Sequence, residues 1–271
     1  MKKFMWPTFF ALMAGMAVTI AIGVNAAGQS KGSISIVGST SVQPLAEELA
    51  TAFMQANPQV RITVAGGGSG AGIKAVKAGQ AEIGTSSREL ESEERSGLTE
   101  TVIARDGIAV IVHPKNSVTN LNLDQVAGIY SGRIKTWQAV GGANAQIVLV
   151  SREAGSGTRS AFEELVLGKT PVAANLIVQG STGAVRQTVA ISKNAIGYIS
   201  MGQLDRTVRA VRINGTAATE SNVLNKTYAV SRPFLFLTKG PAKGVVKAFL
   251  DFVLGPKGQA IVAKEFVPVD K

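Results

Sequence analysis

Ser151-Arg-Glu-Ala-Gly-Ser-Gly-Thr-Arg-Ser-Ala-Phe-Glu-Glu-Leu-Val166 joins an apolar run, Gln146 to Val150, to a helical pattern with Phe162, Leu165 and Val166 on one face. Gly155-Ser156-Gly157-Thr158 stands where that helix begins. The first N–H groups of a helix have no partner within it, and the macrodipole makes that end partly positive. Glycines let a ligand approach the backbone, hydroxyls add donors, and Arg152 brings a full charge, a combination suited to a tetrahedral oxyanion. One such turn, taken alone, is ordinarily a helix cap. In this chain the turn recurs.

Working outward, Ser33 to Val37 alternates as a strand, Gly38-Ser39-Thr40-Ser41 follows, and a helix runs through Asn57 with Leu45, Leu49, Ala52 and Phe53 on one face. Pro44 is tolerated because the first helical turn has no intrahelical donor to lose. Val60 to Ala65 is a second strand, and Gly66-Gly-Gly-Ser69-Gly70-Ala-Gly72 leads into a helix over Ile73 to Ala78. Ala81 to Arg88 is a short strand ending in Ser87 and Arg88, followed by a charged helix or loop from Glu89 to Gly97. Gly180-Ser-Thr-Gly183 opens a further helix, Ala184 to Ser192, ahead of a buried strand over Ala195 to Ile199. Strand, Gly/Ser turn, helix is the grammar of a parallel α/β sheet, whose ligands lie at the carboxyl ends of the strands.

Arg105 to Pro114 reads as a fully buried strand with Asp106 at its start, and the change of composition at Pro114 and Asn116 places a crossing between two lobes there. Leu123 to Tyr130 is a helix, Lys135 to Trp137 a small surface turn, Val208 to Ile213 an edge strand, and Gly215 to Thr227 a loop. Tyr228 to Thr238 is extended and makes the return crossing; helices over Lys243 to Val253 and Gly258 to Glu265 close the chain. The expected lobes are residues 31–112 with 228–271, and residues 113–227.

The chain has 271 residues, 45% hydrophobic, ample for a buried core. Lys2-Lys3, the apolar stretch Phe9 to Val24 and the small residues Asn25-Ala26-Ala27 form a signal peptide over residues 1–27, cut after Ala26 or Ala27. A retained anchor competes, since the apolar run approaches a bilayer-spanning length. Cysteine is absent, which excludes disulfides, thiolate metal sites and a lipid-modified cysteine at the cleavage site. Without Lys2 and Lys3 the chain keeps 26 basic against 18 acidic side chains, a net +8. A basic balance suits nucleic acid, an anionic surface or a small anion, and the scattered basic residues with 6% aromatics speak against a nucleic-acid platform.

Arg88 and Arg152 are candidate clamps for that anion. A buried carboxylate beside an anion site selects for an anion that carries a proton, so Asp106 favours hydrogen phosphate over sulfate; Glu153 is the second candidate. Asp106 paired to a nearby Lys or Arg is the plain alternative. The single histidine, His113, precedes a proline; Ser156 has no local base, and neither paired carboxylates nor a metal-ligand cluster occurs, which argues against an enzyme. Trp137, Tyr130 and Tyr198 read as packing residues.

Gly38-Ser-Thr-Ser-Val-Gln-Pro-Leu-Ala-Glu47, Gly66 to Gly72, Glu82-Ile-Gly-Thr-Ser-Ser-Arg88, Asp106-Gly-Ile-Ala-Val110 and Ser151 to Arg159 stand in an order that resembles the PstS-type phosphate-binding proteins of ABC importers, in their shorter branch. The resemblance spans most of the chain after the leader. It implies a type II periplasmic-binding-protein fold, two α/β lobes joined by two crossover strands, closing on inorganic phosphate by hinge motion. It implies a periplasmic monomer without cofactor or metal that serves a membrane permease. Its motifs match Thr40, Ser69, Arg152, Ser156, Gly157 and Thr158; with Ser39, Ser41, Gly70, Ser87, Arg88 and Asp106 added from the reading of the residues themselves, these are the expected phosphate-binding residues. Sulfate or a similar oxyanion is the alternative ligand, and a phosphatase-type enzyme the alternative class. This chain departs from the longer branch in two places: Ser87 stands where that branch has an acidic proton acceptor, and Glu153-Ala154 displaces its second acidic residue.

Overall fold

The computed structural model describes Met1 and residues 31–269; the expected signal peptide lies outside the described residues apart from Met1. The chain opens with β1 (Gly32–Gly38), α1 (Gln43–Ala56), β2 (Val60–Gly66), α2 (Ser69–Lys77) and β3 (Ile83–Ser86). A short α3 (Ser92–Arg95) leads to the long β4 (Leu98–Val112). Then come β5 (Asn120–Leu121), α4 (Leu123–Tyr130), a 3₁₀ turn over Trp137–Val140, and β6 (Val148–Arg152). The helix α5 (Gly157–Phe162) continues as a π-helical turn over Glu163–Leu167. Next are β7 (Ile177–Gln179), α6 (Thr182–Ile191), β8 (Ala195–Ser200), a 3₁₀ turn over Met201–Gln203, β9 (Arg209–Ala210), β10 (Arg212–Ile213) and α7 (Glu220–Leu224). The crossing strand β11 (Ser231–Lys239), α8 (Gly244–Leu254) and α9 (Pro256–Val262) finish the chain.

The sheet runs β2-β1-β3-β11-β4-β8-β6-β7. β1 pairs parallel with β2 and β3, and β6 pairs parallel with β7 and β8, so each lobe has its own parallel half. β4 and β11 run antiparallel to their neighbours and link the halves. Two apolar cores follow this division. One gathers Ile34, Ile36, Leu49, Phe53, Ile83, Phe234, Phe236 and Phe249; the other gathers Ile108 to Val112, Tyr130, Val150, Phe162, Ile196 and Tyr198.

The outgoing crossing lies earlier than the composition change at Pro114. Residues 98–107 of β4 pair with β11, and Ile108 to Val112 pair with β8, so the strand changes lobes at Gly107–Ile108. Ile108 to Val112 are all buried in the second core, which ties them to that lobe. The return lies at Val230–Ser231, since Tyr228 and Val230 still pack in the second core.

Three local expectations change for identifiable reasons. α2 begins at Ser69, four residues earlier than the apolar pattern suggested. Gly72 is needed inside it, because a Cβ there would lie 2.6 Å from Val37 O and 2.9 Å from Thr85 O. Trp137 is 1% exposed and donates its indole N–H to Asn194 O at 3.0 Å, so the expected surface turn is a buried anchor. Within the expected Gly215–Thr227 loop, α7 forms on a Thr219 cap whose hydroxyl accepts from Asn222 N at 3.3 Å.

Beneath the crossing sits a fully buried ion pair. Arg232 Nε and Nη2 donate to Asp106 Oδ2 at 3.1 and 2.9 Å across the β4–β11 ladder. Asp106 Oδ1 accepts from Ser200 Oγ at 2.8 Å and Met201 N at 3.2 Å in the second lobe. Burial pushes the Asp106 carboxyl up and the Arg232 guanidinium down, and their mutual attraction opposes both shifts. Every contact to Asp106 is a donor, which keeps it ionised. Removing either partner strands a buried charge, so Asp106→Ala or Arg232→Met is expected to cost about 3–5 kcal/mol in urea unfolding. Asp106→Leu combined with Arg232→Met should recover most of that loss; a single variant as stable as the parent would refute the assignment.

Candidate functional site

The carboxyl ends of β1, β2, β3, β6 and β7 deliver their following turns to one place between the two lobes. From the first lobe come Ser39, Thr40 and Ser41 ahead of α1, Ser69 and Gly70 at the start of α2, and Ser87 after β3. From the second come Arg152 at the end of β6, the turn Gly155 to Thr158 into α5, and Thr182 at the start of α6.

Hydroxyls meet there in a buried chain. Ser39 Oγ donates to Ser87 Oγ at 2.9 Å, and Ser69 Oγ lies 3.4 Å from Ser87 Oγ while accepting from Ser87 N at 3.1 Å. Across the lobes, Ser41 Oγ lies 2.7 Å from Thr158 Oγ1 and 2.9 Å from Thr182 Oγ1. Thr40 Oγ1 accepts from Thr182 N at 3.3 Å. Gly70 N donates to Gly155 O at 3.0 Å, binding the two glycine-bearing turns directly. Ser156 Oγ caps α5 by accepting from Arg159 N at 3.3 Å. Gly157 is pressed against the other lobe: a Cβ there would lie 2.1 Å from Ser69 Oγ.

Arg152 is 2% exposed and supplies the buried charge of this cluster. Its Nε and Nη2 donate to the two oxygens of Glu153 at 2.9 and 2.8 Å, Nε also reaches Gln179 O at 3.2 Å, and Nη1 donates to Thr182 Oγ1 at 3.2 Å. A guanidinium has five N–H groups in one plane, so one N–H on each Nη remains beyond these contacts. Glu153 thus holds one edge of the fork and fixes the direction of the other. Tyr198 supports the strand end, its hydroxyl 2.7 Å from Ser151 Oγ and its ring stacked on Phe162 at 4.0 Å; burial pushes its pKa up to about 12, so it stays neutral.

Of the twelve residues expected from the sequence, ten come together. Arg88 does not. Its Nη1 and Nη2 fork onto Glu94 at 2.6 and 2.8 Å, and Nη1 also donates to Glu89 O. The adjacent short α3, with its Glu91–Glu94 capping box, supplies a partner nearer than the site. Asp106 is also spoken for. Arg232, Ser200 and Met201 N occupy both its oxygens, so the plain alternative of an arginine pair is the arrangement found: Asp106 anchors the crossing strands and leaves no free oxygen for a ligand's proton.

Two residues escaped the sequence reading. Thr182 sits in the Gly180–Gly183 turn, recognised as a fourth hydroxyl turn without its threonine being singled out. Arg232 touches the site through Ser87 O, to which Nη1 donates at 3.1 Å. Its signal is an arginine at the head of an apolar strand, matched by an aspartate at the head of another.

A family model described as a PBP superfamily domain matches residues 23–257. The phosphate-binding protein PstS of Bacillus subtilis is 34% identical over 254 residues, covering 90% of this chain and 84% of that one. A crystal structure with bound phosphate, of a Clostridium perfringens protein assigned as a phosphate ABC transporter substrate-binding protein, is 46% identical with a TM-score of 0.86, covering 88% of this chain and all of that one. An ABC-type phosphate transport receptor from Vibrio cholerae is 36% identical with a TM-score of 0.73, over the same shares of the two chains.

The Gly157 contact makes a sharp test of how the two halves meet. Gly157→Ala places a methyl group inside van der Waals reach of Ser69 and Ser87, on the opposite lobe. Far-UV circular dichroism should be unchanged, and the radius of gyration from solution scattering should rise. An unchanged radius would mean that the turn can give way.

Proposed function

The chain belongs to the PstS-type phosphate-binding proteins of the PBP superfamily, and from that premise we propose that it captures inorganic phosphate between its lobes and passes it to the membrane subunits of an ABC importer. The observation that carries this reading is the buried Arg152 fork, whose Nη1 reaches Thr182 Oγ1 where hydroxyls of the two lobes meet. The proposed ligand residues are Ser39, Thr40, Ser41, Ser69, Gly70, Ser87, Arg152, Ser156, Gly157 and Thr158, with Thr182 added. The lobes that close on phosphate are residues 31–107 with 231–269, and residues 108–230. Export follows from the leader motif at residues 1–27, and the protein works as a monomer; among the described residues no helix is long and apolar enough to cross a membrane.

With Asp106 committed to Arg232, the discrimination between phosphate and sulfate falls to Glu153. Its side chain is 29% exposed, and its carboxylate already receives Arg152 and has lone pairs left for one more donor. Hydrogen phosphate brings that donor; sulfate brings only charge against charge. Its Oε1 also lies beside the glycine-rich turn, 3.4 Å from the place of a Gly68 Cβ.

Titration calorimetry near neutral pH is the test. The protein should bind phosphate at least about 100-fold more tightly than sulfate, a gap of about 2.7 kcal/mol. Glu153→Gln should weaken phosphate, by loosening Arg152, and narrow the gap between the anions. No phosphate binding by the unsubstituted protein would remove the reading. An unchanged gap in Glu153→Gln would remove only the role given to that carboxylate.

A further inference from the structure

Gln203 closes the 3₁₀ turn over Met201–Gln203 at the end of β8, in the second lobe. Its side chain crosses to the first lobe, where Nε2 donates to Thr40 O at 3.1 Å and Ser41 O at 3.2 Å. An amide nitrogen carries two hydrogens, so both bonds are made at once. The two carbonyls are otherwise outside the helix ladder. Ser39 O accepts from Gln43 N and Val42 O accepts from Ala46 N, leaving Thr40 O and Ser41 O between them. Gln203 therefore completes the hydrogen bonding of the very turn that presents the Thr40 and Ser41 hydroxyls.

Its own position is fixed from below. Arg186 Nη1 donates to Gln203 O at 2.8 Å and forms an ion pair with Asp205 at 3.4 Å. Arg186 lies on α6, whose first residue is Thr182. One helix thus brings two contacts to the same first-lobe turn: Thr182 directly, on the side of Arg152, and Arg186 through Gln203, on the carbonyl side.

We propose that Gln203 is a closure latch, a positioning residue that grips the Thr40–Ser41 turn from behind when the lobes meet and slows release of the bound oxyanion. The latch rests on the phosphate-binding reading for its ligand but not for its geometry. Gln203 adds no donor to the ligand, so its effect falls on how long the closed form lasts. A contact made only on closure acts on dissociation more than on association.

The test is Gln203→Leu, similar in size without the amide, with Arg186→Gln as a second, weaker lesion. Stopped-flow and calorimetry with inorganic phosphate should give about a tenfold rise in Kd for Gln203→Leu, nearly all of it in the dissociation rate, with the melting temperature of the ligand-free protein unchanged. Arg186→Gln should move the same rate in the same direction by a smaller factor. A dissociation rate equal to that of the unsubstituted protein would overturn the latch. So would a rise accompanied by an equal loss of ligand-free stability, the mark of a merely structural residue. Should the unsubstituted protein fail to bind phosphate, the functional reading falls separately, and the same stopped-flow comparison with sulfate decides the latch: Gln203→Leu should release it faster, and an equal rate overturns the latch.

Discussion

The site turns on a buried guanidinium. Arg152 is taken almost wholly out of water, and a charge so placed is tolerated only with partners that compensate its lost hydration. Glu153, its neighbour in sequence, meets that need along one edge without any long-range folding requirement. Because the partner takes Nε and Nη2, the remaining N–H groups are fixed in direction before any ligand arrives. Preorganisation of this kind lets a charged donor act at little entropic cost. The hydroxyls and helix starts around it add directional donors, and the parallel strands determine where each one points.

The same economy appears at three arginines. Arg152 forks onto Glu153, Arg232 onto Asp106 and Arg88 onto Glu94. Each pair lies at a different station around the cleft. Arg88–Glu94 stabilises the segment after β3, and Arg232–Asp106 ties the two crossing strands to the second lobe through Ser200 and Met201. Arg232 also holds Ser87 O, so the pair at the hinge is mechanically continuous with a turn of the site. The buried pair lies directly across the two antiparallel crossing strands and so fixes their register.

Much of this architecture was legible because period and punctuation agree in the chain. Ser33–Val37, Val60–Ala65 and Ile108–Val112 alternate or run apolar, and each Gly/Ser turn announces a helix. The residues brought together by the fold were legible where they lie in such a turn, Thr182 excepted: its turn is recognisable, but nothing in the turn singles out its hydroxyl. The failures concern residues whose partner is distant or competing. Asp106 and Arg88 each look like a free charge beside a glycine or a hydroxyl, and nothing local says that Arg232, 126 positions on, or Glu94 in a four-residue helix will claim them. Trp137 packs as its ring suggests, but the turn that carries it reads as a surface feature because the partner that anchors it, Asn194 O, is 57 residues away. Local chemistry specifies what a side chain can do; the ladder register decides which of those contacts is made.

That distinction bears on selectivity. A site made solely of N–H donors would accept any tetrahedral anion of the right size, because each donor is fixed in sense. Hydroxyls are not fixed: Ser41 Oγ bridges Thr158 Oγ1 and Thr182 Oγ1, and any of the three oxygens can give or receive. Such a group accommodates a protonated ligand, but it does not by itself reject an unprotonated one, since every hydroxyl can turn to donate. Rejection needs an acceptor that cannot turn, and with Asp106 locked under the crossing strands, Glu153 is the carboxylate directly joined to Arg152. On the proposed reading, the residue that compensates the buried Arg152 is thereby also the one that refuses an anion without a proton to give.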